Sequence, residues 1–551
     1  MKGDFARVTF DPARHYSQVF QQQGRVLLEA DWNEQGQIQL RLLRALVKDL
    51  IGPCWAAGDS FRLATSDTEA NGQLKRRLLG DWELAAGHFY VDGILCENEV
   101  ACVLPDQPYR PTPDYGISDG STGFEHEPPK GFAVWLDVWE RHLSSIEAPA
   151  IADVALNGVD TASRAQVVWQ VRLLDGNRAK QQLDTIEVAL KSRPTTGISK
   201  EEAAAIKQQM TDLEKLRKSL DGGDGSNDDL CAVVRQLLGA RDNWAQPRMS
   251  AQLEASSGDD DPCVIAADAR YRGCENQLYR VEIHSPGLAG TAAGASFKWS
   301  RENGSVIFPV IDSTASSPAD DGGTSLVVTL ARLGRDARLG LAVNDWVELV
   351  DDDYTLAQRA LVLLQVVAVD VAEYRVTLAL PAHATAYPLS LDPSKHPLLR
   401  RWDQRESVGE QGVLAMTEGT ALTLEDGIQV TFQPGGVYAT GDYWLIPARV
   451  AGSGRLDWPS SGSAAAALPP RGGHHYAVLG VSSDQNPFAE CCCRFGPLCE
   501  SIGANRGLPS VAGDHRVDVV KLSGDASTKV VAVTPKPQRI RKKPAKTAKP
   551  A

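Results

Sequence analysis

The run RVLLEADWNEQ at residues 25–35 places carboxylates beside an aromatic side chain, a combination that can serve general acid–base catalysis. In that interpretation Asp31 and Glu34 would act as an acid and base pair against the hydrophobic wall of Trp32. No other stretch of the chain has a stronger catalytic pattern, so its interpretation bears on the whole sequence.

The start of a helix explains the same residues. Apolar side chains recur beyond them at helical spacing, in Ile38, Leu42, Leu43, Leu46, Val47 and Leu50. Asp31 then suits the N-cap and Glu34 the N3 position of a capping box, and Gly52-Pro53 ends the helix. We predict a helix with one apolar stripe and assign both carboxylates to its cap, not to catalysis.

The segment AECCCRFGPLCE is the sharpest metal candidate. Zinc takes four donors, and alternation along a strand would turn Cys491 and Cys493 to one side, with Cys499 and His474 as further candidates. The spacing lacks the paired C-x₂-C arrangement of zinc knuckles. We expect a buried or incidental cysteine cluster, with a metal site and a redox role as alternatives, and no cofactor.

The segment WSRENGSV suggests a binding face. Alternation along a strand places Trp299, Arg301 and Asn303 on one side, as an aromatic surface with two polar tips. Sites for sugars and for proteins are often built this way. The alternative is a strand that leads into an Asn-Gly turn and binds nothing.

Other polar clusters have structural explanations that we prefer. Glu140, Arg141 and His142 offer an acid and a base, but three successive strand residues cannot face one substrate, which favours a salt bridge or hydrogen bond. The aspartate runs at 259–261 and 351–353 have oxygen donors for calcium but lack EF-hand spacing. Solvated turns are expected at both runs.

The composition is that of a soluble globular protein. The chain has 551 residues, 43% hydrophobic and 23% charged, with no apolar run long enough for a transmembrane helix and no secretory signal. We expect a cytoplasmic location, with most of the ten cysteines reduced, Cys263 and Cys274 included.

The net charge is −13, and residues 535–551 carry seven Lys or Arg, which leaves about −20 elsewhere. Such an acidic body repels phosphate backbones, so nucleic acid is not an expected partner.

The element pattern predicts an α+β, β-rich multidomain fold with mostly antiparallel sheets, a small β-barrel, an N-terminal helix and an inserted helical hairpin. HFYVDGILCE is typical of a β-hairpin that turns at Asp92-Gly93. Helical spacing over 176–222, with a capping box at Ser199 and Glu202, predicts the helical hairpin.

These elements divide the sequence into predicted segments. The segments are 1–53 (strand and helix), 54–175 (β-rich domain), 176–222 (helical hairpin), 223–323 (β-rich continuation of the first body), 324–400 (small β-barrel), 401–500 (C-terminal β domain) and 501–551 (disordered basic tail). The tail is interpreted as a flexible end, with a contact to an acidic partner as the alternative.

Several stretches together resemble a known family. MKGDFARVTFDPARHYSQVFQQQGRVLLEADWNEQ, VWLDVWERHLSSIEAPAI, FKWSRENGSVIFPV and GDYWLIPAR are similar to an uncharacterised bacterial family, often encoded among phage-tail-like and contractile injection system genes. The resemblance covers about 1–175 and 260–500. It implies association with a tail-like particle and identifies no catalytic residues.

The expected function is therefore a non-enzymatic structural or adaptor component of a phage-tail-like contractile particle, at its baseplate, fibres or adaptors. Phosphate-binding and hydrolase motifs such as GxxxxGK[ST], GxSxG and HExxH are absent, which argues against an enzyme. Expected partners are other particle proteins and, as an alternative, further copies of the chain, without membrane insertion. A carbohydrate-binding attachment module is the second hypothesis, favoured if Trp299 or Trp444 is exposed, and an envelope-directed hydrolase is the third.

Overall fold

The structure is a computed structural model. It describes residues 1–68, 74–76, 79–111, 131–194, 198–221, 227–254, 270–290, 294–318, 324–358, 360–381, 391–451, 454–461, 464–482 and 488–496. The chain divides into two units, Met1–Gly496 and Pro497–Ala551, and all described residues belong to the first. The expected basic tail, the aspartates at 259–261, Cys263 and Cys499 lie outside the described residues.

The helices include the two predicted groups and one that was missed. The α-helices in the described ranges are α1 (Glu29–Ile51), α2 (Gly176–Ser192), α3 (Lys200–Asp221), α4 (Asn227–Leu238), α5 (Ala240–Trp244) and α6 (Asp352–Ala357). The capping box before α3 is confirmed, since Ser199 Oγ accepts from the Glu202 amide at 3.1 Å and Glu202 Oε2 from the Ser199 amide at 2.8 Å. None of these helices is long and apolar enough to span a bilayer.

Strands dominate the described chain. They are β1 (Cys54–Ala57), β2 (Leu63–Ala64), β3 (Ser66–Thr68), β4 (Leu74–Arg76), β5 (Glu83–Leu84), β6 (Gly87–Val91), β7 (Ile94–Asn98), β8 (Cys102–Val103), β9 (Phe132–Leu143), β10 (Arg164–Asp175), β11 (Met249–Leu253), β12 (Gln277–Ile283), β13 (Ser296–Ser300), β14 (Ile307–Pro318), β15 (Thr324–Leu330), β16 (Trp346–Val350), β17 (Leu364–Asp370), β18 (Arg375–Ala379), β19 (Leu398–Trp402), β20 (Leu414–Ala415), β21 (Ala421–Thr423), β22 (Ile428–Phe432), β23 (Tyr443–Arg449), β24 (Arg455–Leu456), β25 (Ser460–Ser461), β26 (Ala464–Ala465), β27 (His475–Ser482), β28 (Ala489–Glu490) and β29 (Cys493–Phe495). The β-rich class with mostly antiparallel sheets is confirmed.

The first core lies among three sheets, ordered β29-β1-β6-β7, β10-β9-β27-β28 and β2-β5-β8. Its buried side chains include Phe61, Trp82, Phe89, Leu136, Trp169 and Leu479. The predicted hairpin is confirmed as β6 and β7, with φ of 50° at Asp92 and 80° at Gly93, the left-handed conformation that a two-residue hairpin turn requires.

A second core lies between the sheet β20-β13-β12-β23-β24 and the sheet β11-β22-β21. It buries a dense aromatic set, which includes Tyr279, Phe297, Trp299, Phe432, Tyr438 and Trp444. Because β13 is buried along its whole length, both of its faces are covered.

The predicted small barrel is confirmed as a closed six-stranded barrel, β14-β15-β18-β17-β16-β19. It begins at Ile307, earlier than the predicted segment 324–400, and its last strand ends at Trp402. Its interior is filled with aliphatic side chains, among them Val328, Leu349, Leu364, Val376 and Leu398. The barrel is therefore a packed core and not a channel.

The helical hairpin of α2 and α3 is confirmed, but it belongs to a larger helical layer. Residues 227–244, predicted to be β-rich, form α4 and α5 instead. These helices complete an apolar core with Leu183, Ile186 and Leu213, while α4 packs against β27. A disulfide between Cys231 of α4 and Cys491 joins the helical layer to the C-terminal strands.

Strand pairing crosses several of the predicted segment boundaries. β1 pairs in parallel with β29, so Trp55 lies beside Cys493, and β9 pairs with β27, so Val138 lies beside His475. In each of these two sheets, strands far apart in the sequence thus lie side by side.

Candidate functional site

The N-terminus of α1 differs from the predicted capping box. The helix begins at Glu29, the N-cap residue is Leu28, and no side chain caps it. Glu29 Oε1 accepts from the Ala6 amide at 2.9 Å, and Glu34 Oε2 accepts from Thr9 Oγ1 at 2.6 Å. The predicted capping box of Asp31 and Glu34 was therefore wrong: Asp31 lies inside the helix, and Glu34, together with Glu29, holds the N-terminal segment against the helix. The predicted end before Gly52 is confirmed.

The apolar stripe of α1 faces solvent. Trp32 is 79% exposed, Leu43 58%, Leu46 56% and Leu50 75%, while only Ala30 and Ile38 of this helix are buried. An amphipathic helix on a globular protein normally turns its apolar face to the core. The orientation is inverted here.

The charged side of α1 is the side that contacts the body. Arg44 forms a two-pronged contact with Glu140 on β9, at 2.9 and 3.2 Å, and Lys48 Nζ lies 2.6 Å from Asp92 Oδ1 in the β6–β7 turn. At Gly93 an added Cβ would lie 2.3 Å from the Arg44 carbonyl oxygen. Salt bridges and close backbone contact therefore fix which side of the helix faces outward.

An extended arm before α1 enlarges the exposed face. No helix or strand occurs between His15 and Leu28, and the arm is joined to α1 by a 2.6 Å hydrogen bond from the Val19 amide to Gln35 Oε1. We call the exposed apolar residues of arm and helix the outward apolar surface: Tyr16, Phe20, Val26, Leu27, Leu28, Trp32, Leu40, Leu42, Leu43, Leu46 and Leu50. Monomeric proteins rarely expose a contiguous apolar patch of this extent.

A charged cleft of about 190 Å³ lies beneath the N-terminal residues. Glu282 is at its centre, with Lys2 Nζ at 3.0 Å, Arg280 Nε at 2.5 Å and Lys298 Nζ at 3.5 Å. Lys298 also contacts Glu348 at 2.5 Å. Three cations against two carboxylates leave this group of five with a positive excess.

The buried charges in the cleft have shifted pKa values. Burial alone would raise the pKa of the Glu282 carboxyl, but Arg280 and the two lysines hold it well below its usual range. Burial lowers the pKa of Lys2 to about 8 despite its contact with Glu282. Burial also lowers the pKa of His142 and of His284 to about 3, so both imidazoles are neutral at pH 7.

Trp299, Arg301 and Asn303 do not form an open binding face. Trp299 is 3% exposed in the second core, and Arg301 is bound at 2.7–2.8 Å to both oxygens of Glu425. Asn303, also buried, donates from Nδ2 to the carbonyl oxygen of Gly3 at 2.9 Å. The alternative interpretation, a strand that leads into an Asn-Gly turn, describes this segment, and the strand is buried inside the fold.

Trp444, the other tryptophan considered for carbohydrate binding, is 1% exposed and donates from Nε1 to the Leu468 carbonyl at 2.9 Å. Exposure of Trp299 or Trp444 was the feature that would have favoured a sugar site. Neither side chain is exposed.

Two of the four metal candidates, Cys491 and His474, are engaged elsewhere. Cys491 forms the disulfide with Cys231, and His474 Nδ1 lies 2.6 Å from Asp137 Oδ1. Cys493 is free and exposed. Among the residues that the structure describes, no group of three or more potential ligands converges.

The remaining polar clusters serve the packing. As expected, Glu140 and Arg141 form salt bridges, Arg141 with Asp352 at 2.5 Å. The expected solvated turn at 351–353 is wrong, because Asp351 and Asp353 are buried. Asp351 caps α6 by accepting from the Tyr354 amide at 2.7 Å.

A family model described as "Family of unknown function (DUF6519)" matches residues 1–550. The chain belongs to this family. No curated protein matches this DUF6519 chain. A solved structure titled "Crystal structure of TssK" is similar at 10% identity over 75% of this chain and 98% of that chain, with a TM-score of 0.14. That TM-score is too low to indicate a shared fold.

Two features of this DUF6519 chain were missed in the sequence. The outward orientation of α1 has no signal in its own apolar pattern, because the pattern gives a stripe without saying what covers it. For the charged cleft the sequence holds one weak indication: Arg280, Glu282 and Lys298 alternate with large apolar residues that are typical of buried strands.

Proposed function

We propose that the protein is a non-enzymatic structural or adaptor component of a phage-tail-like contractile particle, assembled in the cytoplasm. The observation that carries the assembly role is the outward apolar surface, held in place by Arg44 and Lys48. A surface of this kind is typical of a protein that works through extended contacts with other chains. The particle itself is suggested by the resemblance of the N-terminal sequence.

The absence of catalysis is part of the same proposal. The charges at the centre of the cleft pair with one another, since Glu282 is paired with Lys2, Arg280 and Lys298, and Lys298 also with Glu348. Structural ion networks shift pKa values as active sites do, so these shifts alone do not indicate an enzyme.

The test is mass spectrometry of density-purified particles from the native host and from a strain lacking the gene. A structural role predicts co-purification at fixed stoichiometry and altered particles after deletion. Complementation with Leu43→Glu/Leu46→Glu should fail to restore the particles, whereas Val371→Glu, at an exposed valine on the same chain, should restore them. Absence of the protein from purified particles would refute the proposal.

A further inference from the structure

From the outward apolar surface we infer that α1 is a self-association helix, which pairs with α1 of a second copy of this chain through a coiled-coil seam. This inference deepens the assembly role proposed above and rests on it. The partner is identified by the heptad frame, the area and the charge of the surface.

One heptad frame places the exposed leucines of the C-terminal half of α1 at a, d, e and g positions. The a, d, e and g positions of α1 in this frame hold Glu29 (a), Trp32 (d), Asn33 (e), Gln35 (g), Gly36 (a), Gln39 (d), Leu40 (e), Leu42 (g), Leu43 (a), Leu46 (d), Val47 (e), Asp49 (g) and Leu50 (a). In the first two turns Glu29 (a) and Gln35 (g) accept hydrogen bonds from the N-terminal segment and the arm. From Ile38 onward, the residues bound to the body are Ile38, Arg44 and Lys48, and all three occupy b, c or f. Along this C-terminal part of α1, the fold therefore contacts the positions that a coiled coil leaves free, and leaves exposed the positions that a coiled coil uses.

The exposed area is sufficient for a stable interface. Arm and helix together, the outward apolar surface presents on the order of 1,000 Å² of side-chain area, against roughly 800 Å² per partner in standard stable complexes, and α1 contributes about half of its residues. Its apolar part is continuous along the C-terminal half of α1, where Leu43, Leu46 and Leu50 follow the a and d spacing.

An identical helix matches this surface best. Knobs at a and d pack into holes formed by the same positions of a like helix, so an isologous contact satisfies both copies at once. Glu29 and Asp49 are the only charged residues at the a, d, e and g positions of α1, and Glu29 is bound to the Ala6 amide, so the seam offers a foreign partner little charge to recognise. Gln39 at a d position is the kind of polar core residue that fixes register.

A membrane surface is a poorer match. Helices that lie on bilayers present free basic residues beside the apolar face. Of the three basic residues of α1, Arg44 and Lys48 are bound to Glu140 and Asp92, which leaves Arg41 alone to meet a headgroup.

The experiment is multi-angle light scattering and sedimentation velocity on the full-length chain across a micromolar concentration range. We expect a closed oligomer for the wild type. Leu43→Glu/Leu46→Glu should raise the dissociation constant by at least about 100-fold, since it buries unpaired charges in the seam. Because both leucines are exposed in one chain, the far-UV circular dichroism and the unfolding midpoint should not change. Val371→Glu should stay oligomeric.

A wild type that is monomeric across the range, or a double variant that remains oligomeric, overturns the inference. The broader proposal fails separately. A monomeric wild type that still co-purifies with particles refutes only self-association and assigns the surface to another particle protein, whereas an oligomer absent from particles refutes the particle role.

Discussion

Glu282 is the residue on which the buried charges of the cleft converge. It is 2% exposed and lies within 3.5 Å of Lys2, Arg280 and Lys298, which come from the N-terminus and two neighbouring strands. Buried ion pairs add little net stability compared with apolar residues, yet the loss of one partner is costly. The same carboxylate therefore links the N-terminal peptide to β12 and β13.

Replacing Glu282 by Gln should lower the free energy of unfolding by about 3–5 kcal/mol, because three buried cations would then share Glu348 alone. Urea denaturation measures this. Glu373→Gln is the control, since Glu373 pairs with Arg375 at 3.7 Å on the surface and should cost less than about 1 kcal/mol. Equal effects at the two sites would contradict the cluster's role.

His284 should destabilise the fold in mild acid. Its pKa of about 3 in the folded chain is below the unfolded value of 6.5, so between these values the unfolded state binds the extra proton and stability falls as the pH falls. From pH 7 to pH 5 the loss is about 2 kcal/mol. The free-energy difference between wild type and His284→Gln should shift by this amount in favour of the variant.

The comparison with a variant is needed because other groups titrate in the same range. Burial, together with Asp403, raises the pKa of Glu302 to about 7, which stabilises the folded chain as the pH falls. The total slope therefore mixes opposite signs. A pH-independent difference between wild type and His284→Gln would show that His284 is not buried as a neutral base.

At the scale of elements, the β6–β7 turn and α1 depend on each other. Gly93→Ala should cost at least about 2 kcal/mol, because it adds left-handed strain and forces a Cβ into the backbone of Arg44. Gly158→Ala is the matched control, with a φ of 74° and open space around the added Cβ, and should cost about 1 kcal/mol. Equal losses in thermal or urea unfolding would show that helix and turn are not in contact.

The elements also show what the sequence could predict. Local chemistry was sufficient to predict three features: the end of α1 at Gly52, the hairpin at Asp92-Gly93 and the capping box at Ser199. The α4 and α5 helices were missed although Leu230, Val234 and Leu237 have helical spacing, because an acidic, Gly-rich run precedes them. The direction in which α1 faces was unpredictable locally, since it depends on Glu140 and Asp92, far away in the sequence.

At the scale of the whole molecule, the barrel and the β-rich class were predicted, but the arrangement of segments was not. Periodicity identifies strands and cannot say which distant strand lies alongside, as the pairs β1–β29 and β9–β27 illustrate. The same limit explains Trp299. The sequence placed it on one side of a strand but could not show that the sheet β11-β22-β21 covers that side. The candidate site was therefore the part least accessible from sequence.

Reduction of the Cys231–Cys491 disulfide should destabilise the chain. The bond closes a loop with a sequence separation of 260 residues, and its loss should lower the free energy of unfolding by about 2–5 kcal/mol. Urea unfolding with and without dithiothreitol measures the change, and Cys231→Ala/Cys491→Ala should not respond to the reductant. Thiol titration of the native, unreduced protein that finds both sulfurs free would contradict the bond.

The parallel pairing of β1 with β29 delays completion of their sheet until the end of the chain has been synthesised. Trp55 leaves the ribosome long before Cys493, its neighbour in the sheet, a delay of roughly 20–90 seconds at usual elongation rates. During that interval the sheet β29-β1-β6-β7 lacks its edge strand β29, and α1 packs against a body that is not yet complete. The early part of the nascent chain therefore remains incomplete during that interval, with apolar surface and a strand edge exposed.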